Sequence, residues 1–227
     1  MNVEHALVCS SVQLRVGHKP LLENISFELP AGKALALVGS NGTGKTTLMR
    51  VCAGVARPWS GEVAVFGEQL WPHRAVTAEP RACYLASQPA LLLDHSVHSN
   101  LEFMCNAFGR NPTYAGFDDA LSAVGLLGRG GQQVRTLSTG QKRRLTLALV
   151  LVLEPGLLLA DEPTNGLDEA GVQLCFEVFE RTRRDRKCAL LVASHDEKMI
   201  AFCGQALAMS SYLPTARSAQ ASVGRLI

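Results

Sequence analysis

The sequence is poor in aromatic residues and has no long hydrophobic run. Aromatic side chains make up 6% of its 227 residues, although the hydrophobic share of 47% is ordinary for a globular protein. Its longest apolar run, Leu145–Leu153, ends before Glu154 and Pro155 and is far shorter than the roughly 20 residues that a membrane-spanning helix needs. We therefore expect a soluble globular domain rather than a membrane-embedded, fibrous or disordered chain.

A surplus of charge of one sign is also lacking. The 22 lysines and arginines are balanced by 20 acidic residues, which leaves a net charge of +2 at pH 7. Proteins that bind nucleic acid mainly through charge carry a pronounced basic surplus. We therefore expect no nucleic-acid partner.

The cysteines lack the spacing of a zinc site or a disulfide framework. They number seven, an odd count, and no two of them are spaced as C-x-x-C. Several lie in apolar stretches, where a free thiol behaves as a small core residue. We expect free thiols in a reducing compartment.

Strand and helix patterns alternate along the chain. The hydrophobic patterns predict strands at residues 6–16, 21–29, 34–38, 62–66, 82–85, 157–160, 188–193 and 205–209. They predict helices at 45–53, 169–184 and 197–202, and a mostly helical stretch over 96–153 with breaks near 109–116 and 125–131. This alternation predicts an α/β fold with a mostly parallel sheet. We expect one domain over residues 1–210, with a helical subdomain inserted at about 89–153, and a partly mobile Ser/Ala-rich tail over 211–227.

A glycine-rich loop lies between the apolar strand 34–38 and a helix. It matches G-x-x-x-x-G-K-[ST] through Gly39, Ser40, Asn41, Gly42, Thr43, Gly44, Lys45 and Thr46, and Thr47 follows. Such a loop turns its backbone N–H groups inward as a nest for phosphate oxygens, at a helix N-terminus that favours anions. The lysine would reach the β- and γ-phosphates and the Thr46 hydroxyl would take one Mg²⁺ position. The loop therefore predicts nucleotide binding.

Two carboxylates follow another buried strand. Asp161 and Glu162 end the run 157–160, and open α/β sheets bind ligands at the carboxyl ends of their strands. Asp161 is suited to hold Mg²⁺, directly or through water, while Glu162 is suited to orient or deprotonate an attacking water. Neighbouring strand residues point to opposite faces, so the two carboxylates need not share one role. Alone, the pair would fit a solvated strand end equally well.

Two further features lie beyond the helical stretch's first break. The sequence Leu137-Ser138-Thr139-Gly140-Gln141 precedes a basic and then apolar helix, for which Ser138 is a suitable cap beside a second anion site. His195 follows the apolar strand 188–193. By itself such a histidine is more often structural or solvated than functional.

Together these features resemble the nucleotide-binding subunit of ATP-binding cassette (ABC) transporters, whose fold is a P-loop NTPase core with an N-terminal antiparallel β subdomain and an inserted helical subdomain. The resemblance covers about 14–209, and its elements come in the family's order. These elements are the P-loop 39–46, Gln88, the signature 137–141, the acidic segment 161–164, the loop 165–168 and His195.

The resemblance implies roles near the γ-phosphate. Gln88 would contact Mg²⁺ or the attacking water and relay the nucleotide state to a membrane subunit. Ser138 and Gly140, in the signature that also contains Gln141, would touch the γ-phosphate held by a second protomer. Glu162 would then be the catalytic carboxylate.

The resemblance also implies an assembly. Asp168 would lie in a loop that crosses a dimer interface, and His195 would be the switch histidine at the γ-phosphate. ATP and Mg²⁺ would be bound in a head-to-tail homodimer. Its partners would be integral-membrane subunits on separate chains, with this chain peripheral on the cytoplasmic face of the inner membrane. In the family, the region of residues 88–101 docks the membrane subunit, and Leu91–Leu93 are either exposed there or buried in the helical subdomain.

One position departs from the family pattern. An aromatic residue that stacks on adenine usually precedes the glycine of the first hairpin, and Val16 occupies that place here. Valine offers only apolar contact, whereas aromatic stacking contributes about 1–3 kcal/mol per base in single-strand binding. We therefore expect base selectivity and ATP affinity to be the properties that this change affects most.

Several functions remain open within the resemblance. The short chain and its Gln88-Pro89 loop are similar to the ATPase subunit of the haem-exporter complex of bacterial cytochrome c maturation, and ATPases of small drug, lipid or peptide exporters are the alternative. A soluble ABC ATPase of chromosomes or ribosomes is less favoured, because neither a long heptad insertion nor a second cassette is present. A non-hydrolysing regulatory module is disfavoured by the complete set of catalytic residue types. We expect His95 and His98 to be solvated loop residues rather than haem ligands.

Overall fold

The structure is a computed structural model and describes residues 5–71, 81–88, 90–111 and 113–214. Its strands are β1 (His5–Val16), β2 (Lys19–Pro30), β3 (Ala34–Val38), β4 (Ser60–Val65), β5 (Glu68–Trp71), β6 (Ala82–Leu85), β7 (Leu157–Asp161), β8 (Ala189–Ala193) and β9 (Ala206–Ala208). Its helices are α1 (Lys45–Cys52), α2 (Val97–Ala107), α3 (Tyr114–Ala123), α4 (Thr139–Leu153), α5 (Glu169–Arg186) and α6 (Glu197–Cys203). Pro89 and most of the predicted tail, 215–227, lie outside these ranges. Met209–Tyr212 forms a 3₁₀ turn.

A parallel sheet forms the centre of the molecule. Its strand order is β6-β7-β8-β3-β9, and β3 pairs in parallel with both β8 and β9. Every residue of β7 and β8 is buried, as expected for continuous apolar strands that are covered on both faces. The predicted α/β fold with a mostly parallel sheet is confirmed.

An antiparallel sheet of order β2-β1-β4-β5 lies beside it. The two strands predicted at 6–16 and 21–29 are confirmed, but the second begins earlier than predicted, because Lys19 and Pro20 already pair with Val16 and Arg15. Proline is tolerated there because β2 is an edge strand. Sequence patterns missed β5, a short and half-polar strand that follows a tight turn at Phe66 and Gly67, both at positive φ.

The segment between β6 and β7 is helical, as predicted. The predicted break over 109–116 ends too late, because α3 already begins at Tyr114 and contains Gly116. Thr113 caps this helix by accepting a hydrogen bond of 3.2 Å from the Gly116 N–H. No helix in the described ranges is long and apolar enough to cross a membrane.

The core has two layers, one on each face of the parallel sheet. Alternate residues of β7 face opposite sides: Leu158 packs among the helices α2–α6, while Leu157 and Leu159 pack toward α1 and the antiparallel sheet. All seven cysteines are buried free thiols, among them Cys9 and Cys52 in the second layer. The parallel sheet is therefore held from both sides, which fixes the loops at its carboxyl edge.

Gly61, in β4, approaches the bulged part of β1 too closely for any side chain. A Cβ there would lie 2.5 Å from the Ser11 carbonyl oxygen, and φ is +93°. We predict that Gly61→Ala lowers the free energy of unfolding by about 3 kcal/mol or more, through steric overlap and backbone strain. Urea denaturation measures this loss.

Gly17→Ala is the matched control, because Gly17 has φ +59° but open space around it. This variant should lower the free energy of unfolding by only about 1 kcal/mol, which is the cost of placing alanine in a left-handed conformation. Equal losses in the two variants would contradict the close approach of β4 to β1.

Candidate functional site

The P-loop connects β3 to α1 at the carboxyl edge of the parallel sheet. Gly44 precedes the first helical residue with φ +92°, and a Cβ there would lie 2.8 Å from Leu22 Cδ1 of β2. Only glycine fits this position. No side chain caps α1, so the N–H groups of its first turn are available to an anion.

Lys45 is folded onto its own loop. Its side chain is buried, and Nζ donates to the carbonyl oxygens of Gly39 at 2.7 Å and Ser40 at 3.2 Å. The Thr43 hydroxyl also donates to Ser40 O, at 2.8 Å. The lysine therefore lies inside the loop that would hold the phosphates, with two carbonyl oxygens of that loop among its partners.

Thr46 joins the P-loop helix to β7. Its hydroxyl donates to Asp161 Oδ2 at 2.8 Å, and Asp161 is 1% exposed. The Tyr84 hydroxyl of β6 approaches the same oxygen at 3.5 Å. Burial and the nearby Asp161 carboxylate raise the pKa of Tyr84 to about 12, so the phenol stays neutral. Asp161 thus lies where the sequence predicted, with hydroxyls directed at one of its oxygens.

Glu162 has a different partner from Asp161, and it lies just beyond the strand on which alternation was predicted. β7 ends at Asp161, and Glu162 takes a left-handed conformation with φ +47° while its N–H donates to Ala193 O at 2.8 Å. Its Oε1 lies 3.5 Å from His195 Nε2. The backbone turn therefore separates the two carboxylates.

His195 brings the P-loop and the end of β8 together. Its Nε2 lies 2.9 Å from Asn41 Oδ1 and 3.0 Å from Lys45 Nζ. One ring nitrogen thus has an amide oxygen, an ammonium group and the Glu162 carboxylate within reach, and the tautomer decides which it bonds. These distances place His195 beside the P-loop.

The signature forms the N-terminus of α4. Ser138 and Gln141 build a capping box, in which the Gln141 N–H donates to Ser138 Oγ at 3.2 Å and the Ser138 N–H to Gln141 Oε1 at 2.9 Å. Gly140 faces the Gly166 carbonyl, since a Cβ on it would lie 3.6 Å from that oxygen. Among the described residues, no hydrogen bond joins this signature to the P-loop of the same chain.

Asp168 caps the next helix, α5. Its Oδ1 accepts from the Gly171 N–H at 2.9 Å and from Arg144 Nη2 at 3.3 Å. The backbone bond from Gly171 and the Arg144 guanidinium hold the pKa of Asp168 below its usual range. The side chain is exposed, so the loop that it ends lies on the surface.

Gln88 and Thr47 make fewer contacts. Gln88 is exposed in the loop after β6, and in the described part of the chain neither it nor Thr47 forms a side-chain hydrogen bond. Because Leu85 pairs with Ala160 of β7, the Gln88 loop begins beside the loop of Glu162.

Sequence reasoning missed Tyr84 and Arg143 as site residues. Arg143, in the signature helix, is buried and donates to main-chain carbonyls of the Gln88 loop and of Asn165. Both side chains belong to ordinary local patterns, an apolar strand and a basic helix start, so no local signal distinguished them.

His98 is not the solvated loop residue that the sequence predicted. It lies on α2, with Nε2 3.1 Å from Asp118 Oδ1 and its ring against Tyr114 and Phe117 of α3. His98 therefore joins two helices, while His95 is exposed in the preceding loop.

Comparison with known proteins identifies the family. A family model described as ABC transporter matches residues 22–165. The chain belongs to the ABC transporter family. It is an ATPase subunit of that family, as the P-loop, the acidic end of β7 and His195 together indicated.

Curated relatives agree with this assignment. The chain is 36% identical to a cytochrome c biogenesis ATP-binding export protein of Methylococcus capsulatus, over 79% of this chain and 86% of the relative. It is 31% identical to a lantibiotic transport ATP-binding protein of Streptococcus pyogenes, over 79% of this chain and 75% of the relative. A solved structure of an ATP-binding cassette, dimeric and bound to ADP and Pi, shares the fold, with a TM-score of 0.79 and 18% identity over 89% of this chain and 93% of its own.

The bond between Thr46 and Asp161 generates a prediction on stability. Thr46→Ala leaves the buried Asp161 carboxylate without its short hydroxyl donor, which should lower the free energy of unfolding by about 1.5–3 kcal/mol. Thr46→Ser keeps the hydroxyl and should cost less than about 1 kcal/mol. Urea denaturation compares the two, and equal losses would show that the bond does not hold β7 to α1.

The cap at Asp168 generates a prediction on pH dependence. Because the folded pKa is depressed, the carboxylate stabilises the fold above its unfolded pKa, and this contribution is lost as pH falls through the folded pKa. Asp168→Ala should therefore lower the free energy of unfolding at pH 7, and it should lower it much less at pH 3. Urea denaturation at both pH values measures the two differences. A difference between variant and wild type that stays constant over this range would contradict the ionised cap.

Proposed function

We propose that this ABC ATPase subunit binds and hydrolyses ATP to power a transporter whose membrane-spanning subunits are separate chains. One observation carries the proposal. Lys45, the Thr46–Asp161 pair, Glu162 and His195 converge at one edge of the parallel sheet, through contacts of 2.8–3.5 Å.

The P-loop is proposed to hold the phosphates of ATP. The uncapped N-terminus of α1 offers backbone N–H groups, and Lys45 exchanges the carbonyl oxygens of Gly39 and Ser40 for oxygens of the β- and γ-phosphates. Such an exchange replaces one set of oxygen partners by another, so the ammonium group stays paired throughout. The remaining loop residues, 39–44, and Thr47 surround the same phosphates.

The oxygens of Thr46 and Asp161 fit a magnesium ion. Hydroxyl and carboxylate oxygens are the ligands that Mg²⁺ takes, and these two lie 2.8 Å apart on rigid elements. Gln88 would add a further oxygen from the neighbouring loop. When bound, the ion neutralises charge that develops on the β- and γ-phosphates.

Glu162 is proposed as the general base for water. It accepts a proton from the water that attacks the γ-phosphorus, while the bond to the ADP oxygen breaks and phosphate is released. His195 Nε2 lies 2.9 Å from Asn41 Oδ1 and 3.5 Å from Glu162 Oε1. We propose that, when ATP is bound, its N–H leaves the Asn41 oxygen and donates to the γ-phosphate.

The complete site is proposed to need two copies of the chain. Within one copy, no described hydrogen bond links the signature at Ser138, Gly140 and Gln141 to the P-loop, while the exposed Asp168 loop lies against Gly140's end of α4. A head-to-tail homodimer would place the signature of one copy on the γ-phosphate held by the other. The dimeric state of the related ATP-binding cassette supports this arrangement.

Membrane subunits are proposed to dock on the surface around α2. Leu92, Leu93 and Phe103 are 37%, 49% and 54% exposed there, whereas Leu91 packs against the core. This answers the question that the sequence left open for the leucines: two of the three face outward. Exposed apolar side chains next to the Gln88 loop suit a protein partner, and would hold this ATPase at the cytoplasmic face of the membrane.

The proposed substrate class is haem, in a cytochrome c maturation complex, and small drug, lipid or peptide export is the alternative. The 36% identity to the cytochrome c biogenesis protein supports the first, and the 31% identity to the lantibiotic protein supports the second. Deleting the gene and staining membrane proteins for covalently bound haem separates them. Loss of stained cytochromes, restored by the wild-type gene but not by Glu162→Gln, supports haem; unchanged cytochromes would remove it.

The hydrolytic role is tested by Glu162→Gln. We predict that ATP turnover falls by about 100-fold or more, because a positioned general base contributes factors of this size. The variant should still bind ATP and form an ATP-dependent dimer on size exclusion. Turnover is measured for the chain alone and with co-expressed membrane fractions.

Glu180→Gln is the matched control, since Glu180 lies on the exposed face of α5. It should leave turnover unchanged. Equal turnover in the wild type and Glu162→Gln would refute the role of Glu162, while ATP binding without turnover in either would favour a regulatory module.

The adenine contact is tested by Val16→Tyr. Val16 is 64% exposed at the end of β1, with room for a larger ring. Stacking should tighten ATP binding by about 5-fold or more, judged from stacking on single strands. Val55→Tyr places the same change on another exposed valine, 59% exposed, and should leave the affinity unchanged. Unchanged affinity in both would mean that the base does not lie on Val16.

A further inference from the structure

Arg143 is buried at the start of the signature helix. It is 4% exposed, although its neighbours Lys142 and Arg144 lie on the helix surface. Arginine is almost never fully buried unless its charge is compensated. Among the described residues, Arg143 has no carboxylate within ion-pair distance, and burial lowers the pKa of its guanidinium. The Asp161 carboxylate acts on the guanidinium from beyond that distance and offsets only part of the cost of burying it, so the other contacts of Arg143 need explanation.

The guanidinium donates to carbonyl oxygens of two loops. Nη1 bonds to Ala86 O at 2.9 Å, Nη2 bonds to Ser87 O, and Nε bonds to Asn165 O at 3.3 Å. Ala86 and Ser87 directly precede Gln88. Asn165 lies in the loop that runs from Glu162 to Asp168.

These acceptors belong to backbone that lacks regular hydrogen bonding. Both loops lie outside the strands and helices, at the carboxyl ends of the neighbouring strands β6 and β7. The planar guanidinium holds its donors in a fixed geometry, so it sets the two loops relative to each other as well as to α4. A neutral side chain of similar volume would fill the space, but it could not donate to three carbonyls.

We infer that Arg143 is a positioning residue that couples the signature helix to the loops of Gln88 and Glu162. α4 begins at Thr139, one turn before Arg143, and Ser138 caps it. A ligand that binds at the signature and shifts α4 therefore also moves the guanidinium. Through its three hydrogen bonds, the guanidinium then moves both loops together. The inference rests on the proposed roles of Ser138, Gln88 and Glu162, and it adds the residue through which occupancy of the signature reaches them.

Arg143→Lys tests the coupling, because lysine keeps the charge and most of the stem while its single nitrogen cannot span all three carbonyls. We expect kcat to fall about 10- to 100-fold, as for other small misplacements of catalytic groups, with the Kd for ATP changed less than about 3-fold. Arg184→Lys is the control, since Arg184 is exposed on α5 and should leave both values unchanged.

Hydrogen exchange of the protein without ATP gives the second measurement. Arg143→Lys, and Arg143→Gln if lysine fails to fold, should raise exchange at Asn165 and Leu167, whose N–H groups bond to Glu162 O and Thr164 O, and leave α1 unchanged. Hydrogen exchange does not depend on ATP turnover. If the wild type had no ATPase activity, the proposed function would be overturned, but exchange would still test whether Arg143 holds the loop of Asn165 and Leu167.

Two results would overturn the inference. Exchange at Asn165 and Leu167 that equals the wild type would show that the guanidinium does not hold their loop. Exchange that rises throughout the chain, with kcat and ATP affinity lost together, would show that Arg143 only stabilises the fold.

Discussion

The hydrogen bond between the Thr46 hydroxyl and the Asp161 carboxylate is the contact on which the site depends. It joins the first turn of α1, the helix that follows β3, to the end of β7, and β8 lies between β3 and β7 in the sheet. The carboxylate is buried and needs a donor, and the P-loop supplies it. The position of the phosphate loop is therefore fixed relative to the acidic end of β7 by a bond that neither element could make alone.

The rest of the site is arranged around that bond by backbone geometry. Because Glu162 takes a left-handed conformation, its side chain leaves the direction of β7 and meets His195 at the end of β8. His195 in turn lies against Lys45 and Asn41 of the P-loop. Two adjacent carboxylates thus face different partners, one suited to a metal ion and the other to a water molecule. A left-handed non-glycine residue is strained, and such strain is typical of functional sites.

Local sequence patterns predicted the parts of the fold that depend on local constraints. The buried strands β3, β7 and β8 are continuous apolar runs, and the P-loop is recognised by residues that its backbone requires, such as Gly44. What depends on distant contacts was missed. The burial of Arg143 requires carbonyls from two loops far away in sequence, and Tyr84 acquires its place only when β6 pairs with β7. The strand position of Pro20 was missed because the tolerance for proline is a property of the sheet edge.

ATP is proposed to lie between the P-loop of one copy and the signature of another. The most direct test is the structure of Glu162→Gln with Mg²⁺ and ATP. We predict two copies, with the γ-phosphate between Lys45 of one and Ser138 of the other, and with Lys45 Nζ moved away from the Gly39 carbonyl. A single copy, in which only residues of the same chain contact the γ-phosphate and Lys45 keeps its bond to Gly39, would contradict it.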